Sequence, residues 1–188
     1  MLRILRARGV DLAWAVTAVT RAPRNGETAG RDHHYMAESE FLTARAQGQF
    51  LETAQVYGRW YGTPLREVVA PLRAGRDVVL RVDVQGARGL HARYPAIITV
   101  FIAPPSAEEA ARRLQARSTE SVAEIARRLH AMQDYELAFA AEADYVIPSI
   151  TGAQDRIADQ MWAVVTAERL RARPRRLDPN DMRPALDG

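Results

Sequence analysis

DVVLRVDV, residues 77–84, decides the fold. It is a short apolar run rich in β-branched residues, which fits a strand buried in a parallel sheet. QGARGLHARYP (85–95) follows with a helical pattern, and AIITVFIAPP (96–105) repeats the buried-strand signature. Ser106 then opens SAEEAARRLQAR with Glu109 three residues on, the spacing of a capping box. A helical stretch runs from about Val122 to Glu142, ADYVIPS (143–149) reads as a third short strand, and 152–170 as an amphipathic helix. Strand and helix alternate three times from residue 77 onward. That order predicts an α/β fold, a parallel sheet with flanking helices.

Upstream the pattern changes. LAWAVTAV (12–19) is a strand candidate, and RAPRNGETAGRDHHYM (21–36) is rich in turn signals at Gly26 and Gly30. Ser39 is placed to cap a helix over Glu40–Gln47 that stops at Gly48. FLETAQVYG (50–58) reads as a strand and WYGT (60–63) as a turn or short strand. PLREVVAPLRAG (64–75) reads as a helix with Pro71 inside it. Residues 18–75 therefore form an insertion of short strands and turns ahead of the α/β pattern. Residues 1–8 carry one to two turns of amphipathic helix with no N-cap before them, so the element looks cut.

Composition bounds the chemistry. The 188 residues are 47% hydrophobic and 26% charged, which suits one ordinary globular domain with a core, over residues 1–170. There is no cysteine, which removes disulfides and thiolate metal sites and fits the cytoplasm. No apolar run reaches the roughly 20 residues of a membrane helix, so no membrane partner is expected. All 26 basic residues are arginine. Any mechanism that needs a lysine amine is closed to this sequence, whereas a guanidinium fork suits phosphate. Acidic residues are interspersed with the arginines, so nucleic acid is not expected as a partner. RLRARPRR (169–176) is the main exception; with the rest of the 171–188 tail it reads as a solvated or disordered segment rather than a binding arm.

Several residues could carry chemistry, each beside a plainer reading. Arg21 and Arg24 flank Pro23, which holds the segment extended, so both forks can meet one anion; alternatively both are simply solvated. YGRWYGTP (57–64) offers Tyr61 and Thr63 as hydroxyl donors, or as packing at a sheet edge. Glu52 could accept from the N1–H and exocyclic amine of guanine, or sit on the solvent face of its strand. Asp83 ends a strand, where open α/β sheets bind ligands, or caps the next helix. Arg112, Arg113 and Arg117, then Arg127 and Arg128, flank a short STES turn and could close as a lid, or pair with nearby glutamates. His33 and His34 suggest no metal site, because no third ligand follows from spacing.

The order of these signals is more specific than any one of them. TRAPRNGETAGRDHHYM, FLETAQVYGRWYGT, DVVLRVDVQGAR, FIAPPSAEEAARRLQARSTES and DYVI, in that sequence, resemble the guanylate kinase family over residues 11–168. TRxPRxGE with DVQGAR is the specific part. The resemblance implies a P-loop-kinase-like fold with a GMP-binding insertion (18–75) and a lid region (107–128). It implies that Arg21, Arg24 and Tyr61 hold the phosphate of GMP, and that His33 stands where the family has a tyrosine contacting that phosphate. It implies that Glu52 reads guanine with Thr63 and Thr17, and that Asp83 lies at the nucleotide site. Arg113, Arg117 and Arg128 would be the lid and catalytic arginines. ATP and Mg²⁺ are the implied cofactors, GMP and ATP the small-molecule partners, and GMP to GDP the reaction.

The sequence also departs from that family. The family opens with a central strand and a G-x-x-x-x-G-K-[ST] loop that cradles ATP phosphates, and neither that loop nor any lysine occurs here. The expectation is a start upstream of Met1, impaired activity of the chain as written, and an interruption at the centre of the parallel sheet. Arg81 stands where the family often has an acid, and Pro148–Ser149 replace an asparagine near the adenine site. A non-catalytic module that binds GMP or a protein is the alternative; a kinase of another phosphorylated small molecule is a third.

Overall fold

The computed structural model describes residues 2–56, 58–104, 106, 109, 112 and 138–184. In chain order it has α1 (Leu2–Ala7), β1 (Ala13–Trp14), β2 (Ala18–Val19), β3 (His34–Tyr35), α2 (Glu38–Ala46), β4 (Phe50–Val56) and β5 (Arg59–Pro64). Then come α3 (Arg66–Arg73), β6 (Val78–Val79), α4 (Val84–Arg93), β7 (Val100–Ala103), a 3₁₀ turn (Ala138–Ala141), β8 (Tyr145–Pro148) and α5 (Gln154–Arg169). The fold is mixed α/β with parallel strand pairs. Contacts divide the chain into Met1–Val10 with Ile98–Arg175, and Asp11–Ile97 with Arg176–Gly188.

In the first unit β7 and β8 pair in parallel from Val100↔Tyr145 to Ala103↔Pro148. Asp144 locks the start of that pair, since the Thr99 N–H and hydroxyl both donate to its Oδ2 at 2.9 Å. α5 buries Ile157, Ala158 and Met161, and in the same unit Leu5, Phe139 and Ile147 are buried. Arg8, just past α1, donates to Asp155 at 2.9 Å and also pairs with Asp159 on α5. The Ser106 cap is present, its Oγ accepting from the Glu109 N–H at 3.2 Å.

The second unit holds two sheets. β1 and β6 pair in parallel, Ala13↔Val78 and Trp14↔Val79. The other sheet runs β3-β2-β5-β4, parallel between β3 and β2 and antiparallel elsewhere. One face of this sheet is apolar: Ala18, Phe50 and Trp60 pack on Phe41 and Ala44 of α2. Gly62 on that face makes room for the stacked Phe41 and Phe50 rings, because a Cβ there would lie 3.0 Å from each. A second core of Leu51, Val68, Leu90, Tyr94 and Met182 ties the hairpin to α3 and α4.

Several expectations change. LAWAVTAV is not one strand: Ala13–Trp14 joins β6 and Ala18–Val19 joins β5, so the segment switches sheets. WYGT lies inside a full strand, β5, paired with β4 as a hairpin. Ser39 is inside α2; the cap is Ala37, whose N–H is satisfied by Glu40 Oε2 at 2.9 Å. Pro64 ends β5 instead of opening a helix, and Pro71 is tolerated in α3. Of the 122–142 helix only the end is described, and it is the 3₁₀ turn. The parallel strands of the α/β pattern pair as β1–β6 and as β7–β8, in separate sheets. Past the exposed arginines 171–176, Met182 packs into the core at 4% exposed. Among the described residues no helix is long and apolar enough to cross a membrane.

Candidate functional site

The polar face of the β3-β2-β5-β4 sheet collects most of the residues singled out from sequence. Val19 opposes Tyr61, and Glu52 opposes Thr63. Residues directly opposite share a face, so Tyr61, Thr63 and Glu52 stand on the side away from α2. A β-bulge decides this for Glu52. The β4–β5 register slips between Phe50, opposite Pro64, and Glu52, opposite Thr63. Without the extra residue Leu51 would oppose Thr63, and Glu52 would point the other way.

Arg21 and Glu27 form the anchor at one end. The guanidinium donates in parallel, Nη1 to Oε2 at 2.7 Å and Nη2 to Oε1 at 2.8 Å, with Nη1 also on the Ala22 carbonyl at 3.0 Å. Glu27 Oε2 accepts in addition from the Arg24 N–H and the Tyr35 hydroxyl, both at 2.8 Å. Bonds from Arg21, then from Arg24 and Tyr35, hold the Glu27 carboxyl well below the usual range. Glu27, with Tyr61 behind it, raises Arg21 against its partial burial. Arg21 Nε is buried and has no partner. The fork is thus fixed in direction with one donor left over.

His33 stands beside this pair, 7% exposed and edge-on to the rings of Tyr35 and Tyr61. Its Nε2 is 3.3 Å from Arg81 Nη2 and its Nδ1 is 2.8 Å from Thr17 Oγ1. A guanidinium only donates, so Nε2 accepts and the proton sits on Nδ1, donated to Thr17. Burial first, then the charges of Arg81 and Arg21, push the imidazole below its ordinary value, so it is neutral near pH 7. Thr17 Oγ1 accepts from His33 and keeps its own hydrogen to give.

The other end is a carboxylate corner. Thr63, fully buried, donates to Glu52 Oε1 at 2.6 Å. Burial, and then the charge of Asp83, raise Glu52 above its ordinary value, while Thr63 and Arg93 oppose. Asp83 is the N-cap of α4, its Oδ1 accepting from the Gly86 N–H at 2.8 Å. Glu52 Oε2 and Asp83 Oδ1 each lie 3.2 Å from where a Cβ on residue 86 would be. Glycine at 86 is what lets both carboxylates approach the first turn of α4.

Thr17, Arg21, His33, Tyr61, Glu52, Thr63 and Asp83 are therefore gathered in one unit. Arg24 takes part through its backbone; its side chain is exposed, with no partner among the described residues. Arg113, Arg117 and Arg128 lie outside the described residues. Sequence reasoning gave no role to Glu27, Tyr35 or Gly86. Glu27 and Gly86 stood within the two specific motifs, TRxPRxGE and DVQGAR, so the signal was there; for Tyr35 there was none. Among the described residues no three His, Asp or Glu side chains gather as metal ligands.

The guanylate kinase family profile matches residues 3–164. Guanylate kinase of Nitrosospira multiformis is 35% identical over 171 residues, spanning 91% of this chain and 80% of that protein. Guanylate kinase of Dechloromonas aromatica is 42% identical over 170 residues, 90% of this chain and 83% of the relative. The crystal structure of guanylate kinase from Anaplasma phagocytophilum superposes with a TM-score of 0.73 at 27% identity, covering 90% of this chain and 82% of that one.

Proposed function

The chain belongs to the guanylate kinase family, and from that premise we propose that its polar sheet face is the GMP site of an ATP:GMP phosphotransferase acting in cytoplasmic purine metabolism. The observation that carries this is Arg21. It is held bidentate by Glu27 with a buried Nε–H left over, on the same sheet face as an unusually basic carboxylate, Glu52. The exposed Arg24 guanidinium, three residues from Arg21, is open to a phosphate oxygen, with Tyr61 on the polar sheet face. Glu52, ionised, is an acceptor pair for the N1–H and amino group of guanine, and Thr63 orients it. Thr17 has a hydroxyl hydrogen to offer the base. Adenine presents an acceptor at N1 and would leave Glu52 unpaired.

We assign residues 18–75 as the GMP-binding insertion and 107–128 as the lid, and Arg113, Arg117 and Arg128 as the arginines that neutralise the transferred phosphoryl group. ATP supplies that group and Mg²⁺ travels on its phosphates. The residues of this sequence do not fit the triphosphate cradle, since they include no lysine and no G-x-x-x-x-G-K-[ST] loop. On this reading the chain as written is a GMP binder with impaired transfer.

Calorimetry with GMP and AMP, followed by an ATP-dependent GDP assay, tests this. GMP should bind at least about 100-fold tighter than AMP, the discrimination expected of a buried polar reader. Equal affinities would overturn the guanine assignment. GDP formation well above a no-enzyme control would overturn the impairment. GMP binding with slow but measurable GDP formation fits this reading, whereas GMP binding with none favours a binding module.

A further inference from the structure

We propose that Arg81 is a phosphate-binding residue of this site, aimed by neutral His33, so that the nucleotide phosphate is shared between two guanidinium groups from different elements. This rests on the polar sheet face being a nucleotide monophosphate site.

Arg81 leaves the carboxyl end of β6, the end at which parallel strands present their ligands. Its neighbours Leu80 and Val82 pack against the Leu51–Leu90 core, which fixes the backbone there. The Arg81 side chain is exposed, yet Nη2 turns to His33 Nε2, a residue 48 positions away. His33 is in turn fixed by Thr17. The chain Thr17–His33–Arg81 sets the direction of the guanidinium, and the charge of Arg21 acts on the same imidazole.

Charge gives the reason. Arg81 meets the His33 ring at 3.3 Å, and the charge of Arg21 reaches the same ring. Glu27 is the carboxylate bonded there, and its oxygens are taken by Arg21, Arg24 N–H and Tyr35. Arg81 has no carboxylate partner among the described residues. Glu27 matches the charge of Arg21, so the charge left uncompensated is that of Arg81, and a dianion placed against it supplies the missing countercharge. One of the five guanidinium N–H donors of Arg81 faces His33, so most of the fork remains for phosphate oxygens. His33 is a positioning residue in this arrangement: as a neutral acceptor it holds Arg81, and a protonated ring would repel it.

The experiment is calorimetry of GMP and of guanosine on the chain as it stands and on Arg81→Gln, Arg81→Ala and Arg81→Lys, with folding checked by circular dichroism. Glutamine keeps a donor for His33 and drops the charge. GMP affinity should fall at least tenfold in Arg81→Gln and Arg81→Ala, with guanosine affinity within twofold of the parent. Arg81→Lys should recover part of the loss, because an ammonium restores charge without the fork. An equal loss for GMP and guanosine would mean that Arg81 only supports the fold, and would overturn the proposal. So would unchanged GMP affinity in Arg81→Gln. A folded parent chain that binds no GMP would overturn the underlying site reading as well, which separates that failure from a failure of Arg81 alone.

Discussion

Glu52 shows the tension between folding and binding at a single residue. Burial and the neighbouring Asp83 raise its carboxyl, so the ionised form that guanine needs is harder to reach than in water. A folded-state value above the unfolded one means that stability from this residue is full below the ordinary carboxylate range and is lost as pH rises through the raised value. Glu52→Gln should therefore raise the stability at pH 7 by about 0.5–1 kcal/mol, read as a higher melting midpoint, and abolish the preference for GMP over AMP. GMP affinity of the parent should weaken on acidification from a pH above the ordinary carboxylate range, which calorimetry between pH 5 and 7.5 would reveal. Glu27 has the opposite sign. Its lowered value contributes stability above the ordinary carboxylate range that is lost as pH falls. Glu27→Gln should cost about 1–3 kcal/mol at pH 7 through the lost charge-assisted pair, flatten the acid limb of stability against pH, and weaken GMP binding by freeing Arg21.

At the scale of the element, the β4–β5 hairpin is where the site is made. One strand serves two layers because of its bulge: Phe50 goes to the α2 core, Leu51 to the second core and Glu52 to the polar face. β5 is divided the same way, with Trp60 and Gly62 toward α2 and Tyr61 and Thr63 toward the ligand side. Gly62→Ala would bring a Cβ within 3.0 Å of Phe41 and Phe50 and 3.1 Å of the Glu52 carbonyl. Overpacking of that kind costs about 1–3 kcal/mol. Urea denaturation should show a lower midpoint at an unchanged slope, and GMP affinity should drop because the Glu52 backbone is pushed. An unchanged midpoint would show that the rings yield freely.

At the scale of the whole molecule, the C-terminal segment closes the second unit. Tyr94 hydroxyl accepts from the Arg183 N–H at 2.8 Å, Arg93 Nη1 donates to the Pro184 carbonyl at 3.2 Å, and Met182 enters the core of Leu51, Val68 and Leu90. Arg93 also donates to the Leu51 carbonyl, next to Glu52. Met182→Ala should cost about 2–4 kcal/mol by the cavity it leaves, measured by denaturant unfolding, and a cost under about 0.5 kcal/mol would show that the segment contributes little. In the first unit the arginines of the same segment engage carboxylates, Arg171 with Glu168 at 3.1 Å and Arg175 with Asp144 at 2.6 Å. These pairs are exposed or half-buried and contribute little stability each.

The α/β class, the order of elements and the residues of the two motifs were legible in the sequence, because periodicity, turn residues and short motifs are local. Asp83 beside its glycine turn and Glu52 within its strand could be named that way, and so could Arg21. What only tertiary structure decided depends on partners far along the chain. The bulge that turns Glu52 toward Thr63 is a matter of one residue of register against β5, and a register slip leaves the composition of a strand unchanged. LAWAVTAV split in two because its ends found different strands to pair with. Arg81 read as a departure from the family pattern until it met His33 across 48 residues. Long-range pairing sets such positions by geometry and charge, and a local pattern carries neither.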